Sequence, residues 1–233
     1  MSKNLSILKT YFNVKAYNFK NEIKIICRYY KKFSFLFFDI TFKSLHLFFN
    51  PYKISRIFLQ KKGDKDIHTY GETSLITWEK IVQEVNISSS DNLFELGSGR
   101  GRTCFWSYYF LSCKVVGIER IPFFVKTANL LIKIFRIKKV SFLEKDMFSL
   151  DYSLATTIYL YGTCLSEKEI FLLIEKFRKL DKKTKIITIS YPLSDYDPEA
   201  FQTEKSFPVS FAWGETLAYL QHPKDSSLSS KKI

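Results

Sequence analysis

This 233-residue chain is poor in metal-binding side chains. It has three histidines (His46, His68, His222) and four cysteines (Cys27, Cys104, Cys113, Cys164). No two cysteines stand at a Cys-x-x-Cys spacing, so no zinc or other metal site is expected. The cysteines read as free thiols in a reducing cytoplasm. No small-residue cleavage site follows a short apolar stretch near the start, so no secretory signal is expected. The most apolar window, Phe33 to Phe49, is interrupted by Asp39, Lys43 and His46. A spanning helix needs about 20 mostly apolar residues, and none is expected here. No internal repeat is present.

Acid is missing from one end. Residues 1–62 carry 13 Lys/Arg against two acids, Glu22 and Asp39, a local net charge of +11. They also hold 15 of the 40 Phe, Tyr and Trp residues. Residues 63–233 carry 23 basic and 21 acidic side chains and are nearly neutral. The sequence therefore reads as a basic, aromatic-rich helical segment (1–62), a compact body (63–224) and a flexible tail (225–233). The break falls at Lys61-Lys62-Gly63-Asp64-Lys65-Asp66. Apolar spacing in the first segment (Leu5, Leu8, Phe12, then Phe19, Ile23, Ile26) is helical but imperfect. It fits an interfacial amphipathic helix, a polyanion-binding arm, or a helical lid packed on the body.

Within the body, β-branched runs alternate with helix-period stretches. Strands are predicted at Asn92 to Leu96, Lys114 to Glu119, Val140 to Leu143, Thr156 to Tyr161 and Lys185 to Tyr191. Helices are predicted at 75–85, 103–112, 122–137 and from Ser166, with Glu169 as a capping box, to about Leu180. The alternation of Val209 to Gln221 around Gly214 predicts a hairpin. Such a pattern makes an α/β fold with a mostly parallel sheet covered on both faces. Ligands bind such sheets at the carboxyl ends of the strands.

Three acids and a glycine cluster fall at those ends. Phe94-Glu95-Leu96-Gly97-Ser98-Gly99-Arg100-Gly101 follows a strand and opens a helix, where glycine lets backbone approach a ligand closely. A dinucleotide fingerprint would place its third glycine where Arg102 stands, so that pattern is broken. Glu119 ends the second strand, placed to accept both hydroxyls of a ribose; NAD and S-adenosylmethionine share that group. Asp146 follows the third strand and can accept an adenine amino group, with Met147 packed on the ring.

The ordered set Glu95, Gly97–Ser98–Gly99–Gly101, Glu119 and Asp146 resembles the class I S-adenosylmethionine-dependent methyltransferases. That resemblance implies a seven-stranded, mostly parallel Rossmann-like sheet ending in an antiparallel hairpin. Upstream, Tyr70-Gly71-Glu72-Thr73-Ser74 precedes a helix. With the glycine motif it resembles the disruptor-of-telomeric-silencing family of histone lysine methyltransferases. The resemblance implies that Tyr70, Glu72 and Thr73 belong to a loop over the methionine end of the cofactor. Val209-Ser210-Phe211-Ala212-Trp213-Gly214 and Tyr219 resemble that family's C-terminal hairpin, which implies that Tyr219 lines a lysine channel. The chain departs from the family after the fourth strand. Tyr161-Gly162-Thr163-Cys164 lacks Asn and instead resembles small lysine methyltransferases that act on membrane-embedded energy-coupling proteins.

The combined reading is a methyltransferase using S-adenosyl-L-methionine, with a protein lysine as acceptor and Tyr161, Trp213 and Tyr219 as channel aromatics. A cytoplasmic location is expected, with attachment to a membrane surface left open. The other classes in play are a methyltransferase for a small molecule or nucleic acid, a nicotinamide-dependent oxidoreductase, and a non-catalytic adaptor.

Overall fold

The computed structural model describes residues 2–64, 66 and 70–225, with side chains from residue 11 onward. Three helices lead: α1 (Ser2–Tyr29), α2 (Phe33–Leu47) and α3 (Pro51–Lys62). Asn50 caps α3, its side chain accepting from the backbone N–H groups of Tyr52 and Lys53, and Gly63 ends it in the left-handed conformation. The body follows as α4 (Leu75–Val85), β1 (Asn92–Leu96), α5 (Arg102–Leu111), β2 (Lys114–Glu119), α6 (Pro122–Phe135), β3 (Val140–Glu144), β4 (Thr157–Leu160), α7 (Glu167–Phe177), β5 (Lys185–Ile189), β6 (Phe201–Phe211) and β7 (Gly214–Pro223). The tail expected at 225–233 lies, beyond Asp225, outside the described residues, as do His68 and the side chains of Leu5 and Leu8.

The seven strands form one sheet in the order β3-β2-β1-β4-β5-β7-β6. The first five are parallel, and β7 runs antiparallel between β5 and β6. The hairpin is longer than its sequence pattern indicated, because β6 extends back to Phe201 through a polar, exposed run that shows no alternation. The predicted capping box is present: Ser166 and Glu169 satisfy each other's backbone N–H groups at the start of α7.

Two apolar clusters cover the two faces. One packs α4, α5 and α6 with α1 and α2 against one face; the other packs α7 against the opposite face. The site-facing side follows from strand register. Phe142, Gly117, Glu95 and Tyr159 are direct neighbours across β3, β2, β1 and β4, so they share the first face. A Cβ built on Gly117 would meet the Phe142 ring at 2.5 Å, so the glycine is what lets Phe142 lie across β2. Among the described residues no helix is long and apolar enough to cross a membrane.

The basic N-terminal segment is docked on the body. Tyr17 of α1 donates to the Ser210 carbonyl at the end of the hairpin (2.7 Å), and Thr77 of α4 donates to the same carbonyl (2.5 Å). Tyr29 donates to Glu79 (3.0 Å), which also pairs with Arg28. The buried Phe35, Phe38 and Phe42 of α2 pack against Phe105 and Tyr109 of α5 and Phe135 of α6.

Candidate active site

The glycine loop is held from below by β2. The N–H groups of Gly97 and Ser98 both donate to the Ile118 carbonyl at 2.9 Å. The next N–H in line at Gly99 donates to Glu119 Oε2 (2.9 Å), and Ile121 N–H donates to Glu119 Oε1 (2.7 Å). Gly97, Gly99 and Gly101 all have positive φ. At Gly101 (φ 78°) the requirement is doubled, since an added Cβ would strike the Phe142 ring at 2.2 Å.

The Tyr70–Thr73 loop folds onto this turn. Glu72 accepts a bidentate pair from Arg100 and a hydrogen bond from the Tyr70 hydroxyl. Burial pushes the Glu72 carboxyl up, but the charge and hydrogen bonds of Arg100 outweigh it and hold it below the usual range. The Tyr70 ring lies against Phe124 and over Gly99, its hydroxyl 3.2 Å from where a Cβ there would be. Thr73 is hydrogen-bonded to the Tyr159 hydroxyl at 2.6 Å.

Between loop, sheet and α1 lies a cavity of about 480 Å³. Tyr70, Glu72, Thr73, Glu95, Gly97, Ser98, Gly99, Gly101 and Tyr161, all expected from the sequence, line it. Glu95 is buried at its base, where Thr103 (2.6 Å) and Cys104 (3.0 Å) donate to it. Burial lifts its carboxyl to about 7 against the relief those donors give. Two polar atoms of the wall, Asn21 Nδ2 and Ser98 Oγ, are buried without a hydrogen-bond partner among the described residues. Such groups are costly unless a ligand or water satisfies them.

Four expected residues fall outside the wall. Glu119 sits beneath the glycine loop as its brace. Asp146 is exposed and caps a single 3-10 turn by accepting from Phe148 N–H (2.9 Å). Met147 reaches toward the loop, its Cε 3.7 Å from where a Gly97 Cβ would be. Tyr219 is paired with Thr188 on β5, between Ile187 and Ile189, which face the cavity-side cluster. Strand alternation therefore turns Tyr219 to the opposite face. The aromatic side of the cavity is built instead by Tyr161 and Trp213, backed by the buried Phe211. Tyr161 stacks on Phe211 (centroids 4.7 Å apart), Phe211 stacks on Trp213 (5.5 Å), and Trp213 Nε1 donates to the Tyr161 hydroxyl (2.6 Å).

Sequence reasoning allowed for a helical lid on the body but named none of the residues of the far wall. Val14, Tyr17, Asn18, Asn21 and Glu22 of α1 line the cavity, as does the buried Tyr159. It also missed the device that seats α1. Arg102, standing where a dinucleotide fold has its third glycine, makes a bidentate pair with Asp39 (2.9 and 2.8 Å) and reaches Glu22 (2.8 Å). These are the only two acids of residues 1–62. Their isolation in a basic segment was the available signal.

Strand order, hairpin and glycine turn together define the class I methyltransferase fold. Residues 59–156 match the family described as Histone methylation protein DOT1. The matched stretch is under half of the chain; it includes the Tyr70 loop, the glycine loop, Glu119 and Asp146 and stops short of β4 and the hairpin. Among solved structures, an RNA methyltransferase from Salinibacter ruber in complex with S-adenosyl-L-homocysteine is 23% identical, with 65% of this chain and 92% of that one aligned at a TM-score of 0.51. A mutant of MtNAS in complex with S-adenosylmethionine is 14% identical over 64% of this chain and 62% of that one, at a TM-score of 0.52. The [4+2]-cyclase SpnF is 13% identical over 63% and 79%, at 0.53. These likenesses define the fold. No curated protein matches the chain.

Proposed function

We propose that the chain transfers a methyl group from S-adenosyl-L-methionine to a protein lysine amine. The observation that carries this reading is the joining of three elements around one cavity: the Tyr70–Thr73 loop clasped by Arg100, the glycine turn braced by Glu119, and the stacked Tyr161–Phe211–Trp213 wall. The residues present fit the cofactor. The cavity beside the Gly97–Gly101 turn is about 480 Å³, the buried Glu95 and Glu119 stand at and behind that turn, and Ser98 Oγ and Asn21 Nδ2 have no partner among the described residues.

The bound cofactor supplies an activated methyl on a sulfonium. The chain's own task is to position a neutral amine and exclude water. A lysine amine has an ordinary pKa near 10.4, and desolvation against aromatic faces favours its uncharged form. Tyr161 and Trp213, which line the cavity, provide those faces, and the Tyr161 hydroxyl, already accepting from Trp213, has its own proton to donate or share. Fixed geometry of this kind supplies much of the rate in displacement reactions that need no strong acid or base.

The test is to incubate the purified full-length chain with cofactor labelled in the methyl group and with whole-cell extract, then identify the labelled fraction. Label in protein, mapped to lysine by mass spectrometry and lost with Trp213→Ala, supports the reading. Label confined to RNA or to small molecules overturns the acceptor assignment. No label together with no cofactor binding overturns methyl transfer itself.

A further inference from the structure

The apolar stripe that marks α1 as a helix in the sequence is not the face that packs on the body. Val14, Tyr17, Ile25 and Tyr29 face the body, whereas Phe12, Phe19, Ile23 and Ile26 are exposed, Phe19 to 68%. Those four are spaced i, i+7, i+11 and i+14, which brings them within about 60° of one another on the helix. Lys15 borders this stripe on one side and Lys20 flanks it on the other, both exposed. The next helix repeats the arrangement: Phe33, Phe37, Ile40 and Leu47 of α2 fall on one exposed face, opposite buried Phe35, Phe38 and Phe42. Two consecutive helices thus each have one apolar side against the protein and a second apolar side that none of the described residues covers.

Charge decides what fits there. Glu22 and Asp39, the segment's only acids, are both already paired with Arg102 and Lys43. No carboxylate of residues 1–62 is left to balance the outward lysines. A second copy would bring an equally basic face against this one, with repulsion at close range. Nucleic acid would use the lysines and leave the Phe and Ile side chains in water. An anionic bilayer accepts both, taking apolar side chains at the headgroup boundary while lysines meet the phosphates.

We infer that the outward faces of α1 and α2 form a docking surface for an anionic lipid membrane, which seats the protein peripherally on the bilayer. None of the four α1 stripe residues lines the cavity, so docking is read separately from methyl transfer and in the absence of cofactor.

Flotation of the full-length chain with vesicles tests this. Vesicles of phosphatidylcholine mixed with phosphatidylglycerol should carry the protein up at low salt, and vesicles of phosphatidylcholine alone should not. The triple variant Phe12→Ser, Phe19→Ser, Ile23→Ser should weaken binding at least about tenfold with its charge unchanged. Lys20→Gln should weaken it roughly fivefold. Phe171→Ser, an equally exposed phenylalanine on α7, should leave it unchanged. Thermal melts by circular dichroism show whether each variant stays folded, and the exposed positions predict that it does. Equal binding to neutral and anionic vesicles, or full binding by the folded triple variant, would overturn the proposal. So would self-association in solution that the triple variant abolishes, or RNA binding that outcompetes vesicles and depends on the lysines alone.

Discussion

Both carboxylate oxygens of Asp39, a fully buried side chain in α2, are held by the guanidinium of Arg102 at the first turn of α5. This pair ties the N-terminal helices to the glycine turn. Lys43 (3.2 Å) and Tyr30 (2.8 Å) complete the shell around Asp39, and Glu22 takes the remaining Arg102 nitrogen. Burial raises the Asp39 carboxyl, but Arg102 and Lys43 more than offset it and hold it below its ordinary range.

Arg102→Ala leaves two carboxylates facing a low-dielectric interface. The expected loss is about 3–5 kcal/mol in urea denaturation, with α1 becoming open to protease before the body unfolds. Asp39→Asn added to Arg102→Ala should recover part of that loss, because the stranded charge is gone. Since the folded-state carboxyl is depressed, its contribution is present at neutral pH and disappears as pH falls through the folded value. Acid titration followed by protease sensitivity of α1 should therefore show the helices loosening as Asp39 takes up its proton, and Asp39→Asn should remove that step.

Glu95 behaves in the opposite sense. Its carboxyl titrates at about 7 in the folded chain, against roughly 4.3 when unfolded. The folded state therefore holds a proton that the unfolded state lacks between those values, and stability declines as pH rises through that window. Glu95→Gln should match the parent near the bottom of the window and exceed it at pH 8, by an amount on the order of 3 kcal/mol. Denaturant melts across the range read this directly; a flat difference with pH would contradict it.

Glu119→Ala removes the acceptor for both Gly99 and Ile121 N–H groups. Charged-group hydrogen bonds are each worth about 1.5–3 kcal/mol, so the glycine turn should loosen. Isothermal titration with S-adenosylmethionine should show affinity reduced by on the order of tenfold to a hundredfold. Unchanged affinity would separate Glu119 from cofactor binding altogether.

Trp213 is 55% exposed, so its loss costs little stability. Trp213→Ala should lower kcat/KM for a lysine acceptor by about tenfold or more while leaving S-adenosylmethionine affinity intact. Tyr161→Phe, which removes the group that Trp213 Nε1 donates to, should reproduce part of the effect. Tyr219→Phe should reproduce none of it, because that side chain is on the far face of the sheet.

The sheet was legible because buried parallel strands are short apolar, β-branched runs, as at Lys114 to Glu119, where Pro122 then opens the next helix. The glycine turn was legible because backbone geometry there demands one residue type. Tyr219 misled because a family's hairpin tyrosine was carried over by position along the chain, while the face a side chain takes depends on strand parity. The part played by α1 was not legible for a different reason. Its most visible apolar stripe points to solvent, and the contacts that seat it are dispersed: the buried Ile25 and Tyr29, the Tyr17 hydroxyl on Ser210, and Arg102, a position read only as a missing glycine. Asn21 and Tyr17 belong to the site only once that seat is formed.

The arrangement separates two kinds of change. Donor handling depends on the strand ends and the turn after β1, inside the stretch shared with the matched family. The far wall of the cavity comes from outside that stretch, on α1, which Arg102, the Ser210 carbonyl and Glu79 hold to the body. Substitutions along that helix therefore reshape the cavity while the turn after β1 keeps its own bonds to β2.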